Sequence, residues 1–182
     1  MSALRLPADL AAWAELAAAL VNTAPRETDP PEKLTGRSEL ERLLTGAPEP
    51  PPAARAADVQ AVRDLRPALR AAFEAGNLGG IAAALNPLLA AGATGWRMAP
   101  GAGGAWALGP QAPAGLAPWL GARAGRGLAE LALAYGPERL HMCRADDCLR
   151  AVVDVSRNGT RRYCSRTCAN RTNSRRHRTR GG

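Results

Sequence analysis

The four cysteines of this 182-residue chain all fall in its last forty residues: Cys143, Cys148, Cys164 and Cys168, spaced C-x4-C, x15, C-x3-C. Two close pairs separated by a hairpin-sized gap suit a tetrahedral zinc ion. Each pair grips the metal from a tight turn, and the gap brings the second pair round. Two disulfides are the competing chemistry, but the amino terminus lacks the basic and apolar regions of a secretion leader, and a cytosolic chain keeps its thiols reduced. An iron–sulfur cluster also takes four thiolates, yet the spacing is not that of ferredoxins. One structural Zn2+ held by all four cysteines is the expectation.

The gap between the pairs has a readable pattern. Ala151 to Val155 favours a strand, Asn158-Gly159 signals a type I′ turn, and Thr160 to Tyr163 is the expected returning strand. Ser165 is placed to cap a helix carrying Cys168 in its first turn. Knuckle, β-hairpin and helix make a treble-clef-like zinc finger, too small to fill a core and therefore dependent on its metal for folding. Asp154 and Asn170 are candidates for side-chain hydrogen bonds tying hairpin to helix.

Charge divides the chain at the same place. Residues 1–142 hold 13 basic and 13 acidic side chains, whereas residues 143–182 hold 11 arginines and 3 aspartates, so the whole net charge of +8 lies in the finger. That excludes a uniformly basic, histone-like protein and indicates a neutral domain with a polyanion-binding tail. The helix expected after Cys168 has no large apolar residue and thus no face to bury. Arg171, Arg175 and Arg178 share one stripe of it; Arg166, Asn170, Asn173 and His177 share another. With Arg176 and Arg180, and with Arg157, Arg161 and Arg162 on the hairpin, they form a surface suited to phosphates and base edges. Duplex DNA is the expected partner. Four cysteines complete a zinc shell, so His177 is not needed as a ligand.

Upstream, the apolar spacing is helical. Leu10, Trp13, Leu16, Ala17, Leu20 and Val21 form one stripe with Asp9 as cap; Ser38 and Glu41 make a capping box before Leu40, Leu43 and Leu44. The prolines of residues 47–53 imply an extended connector. Val59, Val62, Leu65, Leu69, Ala72 and Phe73 define a helix that Pro67 should kink, and Ile81, Leu85, Leu88 and Leu89 another with Pro87 inside it. Trp96/Met98 and Trp106/Leu108 alternate about a Gly101 to Gly104 turn and read as a β-hairpin. Leu116, Trp119, Leu120, Leu128, Leu131 and Tyr135 outline a longer helix ending at Gly136-Pro137. The fold class is therefore a mainly α amino-terminal domain, residues 1–136, with a small β-hairpin, and a treble-clef-like finger, residues 137–182. A fragment ending at Leu140 is expected to fold without the finger.

No catalytic constellation stands out, and an enzyme is not expected. A nuclease on a treble-clef-like scaffold would have to draw on His177, Asp146, Asp147 and Asp154. No run approaches the roughly 20 apolar residues of a membrane span, so the chain reads as cytoplasmic and without a membrane partner.

The residues Cys143-x4-Cys148, Val153-Asp154-Val155-Ser156-Arg157-Asn158, Arg161-Arg162-Tyr163-Cys164-Ser165 and Cys168-Ala169-Asn170-Arg171 resemble the CGNR zinc finger of bacterial transcription regulators. Alanine stands where the namesake tetrapeptide has glycine, and Tyr163 where the family usually has tryptophan. Ala19-Leu20-Val21-Asn22-Thr23, Asp64-Leu65-Arg66 and Leu85-Asn86-Pro87-Leu88 resemble the domain called ABATE that precedes this finger. The resemblance implies a stress-linked, nucleoid-associated DNA-binding regulator. A single finger reads few base pairs, so a homodimer is expected, with the helical domain dimerising or sensing a small-molecule effector. The alternative is a zinc-organised adaptor for RNA or an acidic protein.

Overall fold

The computed structural model describes residues 7–24, 32–92, 96–100, 106–110 and 115–180. Helix α1, Ala8–Val21, buries the whole predicted stripe from Leu10 to Val21. It starts two residues earlier than Asp9 would allow as a cap: Pro7 precedes it, and Asp9 sits in the first turn, where its charge still favours the helix dipole. Helix α2, Arg37–Leu44, is capped by the extended Gly36, so the expected Ser38 capping box falls inside the helix. The proline connector that follows is exposed over residues 48–53 and is tied down by an ion pair between Glu49 and Arg123.

Pro67 does more than kink its helix. It divides the predicted segment into α3, Asp58–Arg63, and α4, Arg66–Glu74, with Pro67 in the first turn of the second, where a missing N–H costs little. The Arg63 carbonyl that the absent Pro67 N–H would have met instead accepts from Arg66 Nε at 3.2 Å. Helix α5, Leu78–Ala91, is capped by Asn77, whose side chain accepts from Gly80 N at 2.8 Å, and it contains Pro87. Strands β1, Trp96–Pro100, and β2, Trp106–Pro110, pair antiparallel with Met98 opposite Leu108, as the alternation predicts; the Gly101 to Gly104 turn lies outside the described residues.

Helix α6, Leu116–Tyr135, is the central element and packs against α1 and α5. Leu20, Leu120, Leu128 and Leu131 are fully buried, each contributing about 1.5–3 kcal/mol. Trp13 and Trp119 meet edge to face with centroids 5.1 Å apart, and Arg123 lies over Trp119. The α1–α6 contact is close enough to require Gly127: a Cβ there would stand 2.7 Å from Ala14 N and 2.8 Å from Leu10 O. No described helix is long and apolar enough to cross a membrane.

A 3-10 turn, Pro137–Arg139, leads into β3, Leu140–Met142, which pairs antiparallel with β4, Ala151–Val153; α7, Arg166–Arg180, closes the described chain. The architecture is mainly α with small two-stranded sheets and a finger of knuckle, strands and helix. One expected pairing differs. The partner of β4 is β3, on the amino-terminal side of the knuckle, and residues 160–163 do not form a strand. A type I′ turn needs φ above zero at both Asn158 and Gly159, yet only Gly159, at +63°, has it. Gly159 N instead donates to Ser156 O, making a four-residue turn that precedes an irregular segment.

Candidate metal centre and nucleic-acid interface

The zinc ligands are brought together by local hydrogen bonding at both ends of the loop. Cys143 follows β3 and donates its N–H to Arg150 O at 2.7 Å, while Cys148 N reaches Ala145 O at 3.0 Å; these two bonds form the knuckle. Opposite it, Cys164 N donates to Cys143 Sγ at 3.4 Å, and Ser165 Oγ accepts from Cys168 N at 3.2 Å, capping α7 as expected. All four Sγ atoms lie within 4.8 Å of one another, with Cys148 to Cys164 at 3.6 Å and Cys164 to Cys168 at 3.5 Å. Sulfurs about 2.3 Å from a central zinc form a tetrahedron with edges of about 3.8 Å, so the set fits that ion. The separations are too long for a disulfide, and the cysteines are free. This is one structural zinc site, packed around by Ala145, Val152 and Tyr163.

Burial pushes the Cys148 thiol far above its ordinary value and raises Cys164 as well. Burial acts upward on Cys168 too, but hydrogen bonding with Ser165 and the neighbouring thiols outweighs it and leaves that thiol lowered. A metal-free cluster therefore retains protons that an incoming cation displaces.

The segment between the ligand pairs is organised by Asp154 rather than by a second strand. Asp154 is 2% exposed. One carboxylate oxygen accepts from Ser156 N at 2.9 Å and from Ser156 Oγ, and the other accepts from Arg161 N at 2.8 Å. Its charge faces Arg139, 9% exposed, whose Nη1 also donates to Asp154 O and Ser156 O. Gly159 lies against that guanidinium, where a Cβ would stand 3.1 Å from Arg139 Cζ. Asp154 thus ties the loop to the turn before β3, not to α7. Asn170 is exposed and makes no such tie. Arg139 has no cue in the sequence, because its partner lies fifteen residues away.

The finger is joined to the helical segment through a shared core. Leu140, Ala151 and Val153 belong to the main hydrophobic cluster with Leu20 and Val21. Asn22, at the end of α1, pairs with Ala151 like a strand neighbour: Nδ2 donates to Ala151 O at 3.0 Å and Oδ1 accepts from Ala151 N at 2.8 Å. Arg70 Nη1 reaches Leu149 O at 3.0 Å. A fragment ending at Leu140 would lose Ala151 and Val153 from its core and should be less stable than the full chain.

The predicted arginines fall into four groups. Arg157, Arg162 and Arg166, like Asn170, are exposed, and their side chains make no hydrogen bond or ion pair among the described residues. Arg161 is bound internally, with Nη1 donating to Val153 O and Nη2 to Cys164 O. Arg171 and Arg175 are held by Asp147: Arg171 Nη2 is 2.7 Å from Oδ1, and Arg175 Nη2 is 3.1 Å from Oδ2. Arg176, Arg178 and Arg180 lie in α7, and their side chains, like that of His177, fall outside the described residues. The Asp147 clasp was not anticipated from the sequence, which offered that carboxylate only as a component of a nuclease site.

Residues 139–181 match a family model of the CGNR zinc finger. Residues 14–135 match that of ABATE, described as a "Putative stress-induced transcription regulator". The two ranges contain the residues on which the resemblance rests. No curated protein matches the chain.

Proposed function

The chain belongs to the ABATE family and carries a CGNR zinc finger, and from that premise we propose that it is a zinc-dependent DNA-binding regulator of transcription. The observation that carries this reading is where the charge lies. The 142 residues before Cys143 are neutral in sum, and the excess of +8 is confined to the segment that the four cysteines organise. The thiolates and the ion together contribute −2, so the zinc-loaded finger still carries +6. Such a surface binds phosphates, with the metal holding turn, knuckle and helix in a fixed relation.

The zinc has no catalytic part in this proposal. Four thiolates leave no open coordination position, and two of the three nearby carboxylates are engaged: Asp154 is buried against Arg139, and Asp147 bridges two arginines. A homodimer reading two half-sites would supply the specificity a single finger lacks, with the helical segment dimerising or taking an effector.

Binding of the zinc-loaded chain to duplex DNA should weaken steeply with salt. The plot of log K against log salt concentration should fall by about 0.9 for each phosphate neutralised. Fluorescence anisotropy across a salt series measures this, and a salt-insensitive complex would argue against the arginine surface. Binding to RNA or to an acidic protein, with none to DNA, would make the chain an adaptor instead.

A further inference from the structure

We propose that the finger meets duplex DNA through only one of its two arginine stripes. The contacting stripe runs from Arg162 through Arg166 to Asn170 and Asn173. Arg171 and Arg175 are positioning residues that hold α7 on the knuckle. This inference rests on the DNA-binding reading above and deepens it.

At 100° per residue, Arg166, Asn170 and Asn173 lie within about 60° of one another on α7, whereas Arg171 and Arg175 lie on the other side. Cys168 and Thr172, 8% and 5% exposed, mark the face turned inward. The structure treats the two stripes differently. Asp147 gives one carboxylate oxygen to each of Arg171 and Arg175, and Arg171 Nη2 also lies 3.7 Å from Cys168 Sγ. These arginines balance a carboxylate and a zinc thiolate, so much of their charge is spent within the finger. Arg171 is the arginine of the Cys-Ala-Asn-Arg tetrapeptide, which gives that motif a structural reason: one residue ties the last ligand to the knuckle.

The other stripe has no such commitment. Arg162 and Arg166 stand on the same groove of about 350 Å³, with Thr160, Tyr163, Ser165 and Ala169. It is a shallow groove at the start of α7 with two arginines and three hydroxyl-bearing residues along it. Arg161 also lines it, but its guanidinium is bound to the carbonyls of Val153 and Cys164, so it shapes the wall. A phosphate is the group that suits two neighbouring arginines without partners among the described residues. Beyond the groove along the helix come Asn170 and Asn173, both exposed. Asparagine amides can pair with adenine edges in a major groove, which an acidic protein would not require. Cationic residues on phosphate at one end of a helix and amides further along it match a helix seated on duplex DNA.

The test uses the zinc-loaded full chain and a random-sequence 20-base-pair duplex, followed by anisotropy over a salt series. The double variant Arg162→Ala/Arg166→Ala is expected to lose about tenfold or more in affinity at physiological salt. Its log–log slope should be shallower by about 1.8, the equivalent of two phosphate contacts. Arg175→Ala should remain within about twofold of the parent with its slope unchanged. Neither variant alters a zinc ligand, and one zinc per chain in each shows that the finger is intact. A parent that binds while the double variant binds equally well overturns the inference and leaves the DNA-binding reading standing; so does an Arg175→Ala variant that loses as much slope as the double variant. A parent that does not bind the duplex removes that reading, and the inference with it.

Discussion

Cys164→Ser is expected to abolish stoichiometric zinc and to unfold more than the finger. A serine hydroxyl is not ionised near neutral pH, so one of four thiolate ligands is lost and the tetrahedral set becomes incomplete. Structural zinc in comparable small modules supplies about 10–16 kcal/mol, as much as the whole stability of an ordinary domain at about 5–15 kcal/mol. The loss should spread because β3 and β4 are not an appendage: Leu140, Ala151 and Val153 fill the same core as Leu20 and Val21, and Asn22 is paired with Ala151. Metal analysis should therefore show less than about a tenth of the parent's zinc. Circular dichroism should show the helices melting more than about 10 °C earlier, an effect that chelation of the parent reproduces. One zinc per chain in the variant would contradict the ligand assignment, and helices melting at the parent temperature would contradict the shared core. The thiols also set a pH dependence. Burial raises Cys148 and Cys164, so zinc must displace their protons, and affinity should fall as pH is lowered, with more than one proton released per ion in a weakly buffered titration.

The second large effect is expected at Asp154. Asp154→Ala removes the acceptor for Ser156 N, Ser156 Oγ and Arg161 N and leaves Arg139 buried without its counter-charge. Removing one member of a buried pair costs about 3–5 kcal/mol, so the urea midpoint should fall accordingly. Zinc affinity should fall with it, because Arg162 O, which receives Arg144 N from the knuckle, is carried by the same loop. Asp154→Asn keeps an oxygen for the Ser156 bonds and should lose less than the alanine variant. Equal losses in the two would mean that the carboxylate's charge and second oxygen, not its shape, are what the loop needs. An unchanged midpoint in Asp154→Ala would mean the loop is organised by something else.

Much of this was legible before folding, for identifiable reasons. The stripes of α1, α4 and α6 repeat every three to four residues, and the core uses them as read. The zinc site needed only thiol spacing and a serine three residues before Cys168. What could not be read depends on distance along the chain. β3 is three residues long and lies outside the ligand pairs, so Ala151 to Val153 seemed to need a partner on the other side; the Asn158-Gly159 dipeptide encouraged that reading, although the backbone uses only its glycine. Asp154 takes the place of the missing ladder with bonds to Ser156 and Arg161. Asn22 and Ala151 are 129 residues apart, and Asp147 lies 24 and 28 residues from Arg171 and Arg175. The helical spacing separated the two arginine stripes, but only the fold showed that one is already paired.

The most direct measurement exposes the full chain, zinc-loaded or chelated, to a pool of random duplex DNA at near-physiological salt and sequences what is retained. The account predicts retention and enrichment of a defined motif by the zinc-loaded protein alone, with half-site spacing reporting a dimer. Equal retention by the chelated protein, or no retention by either, would contradict it.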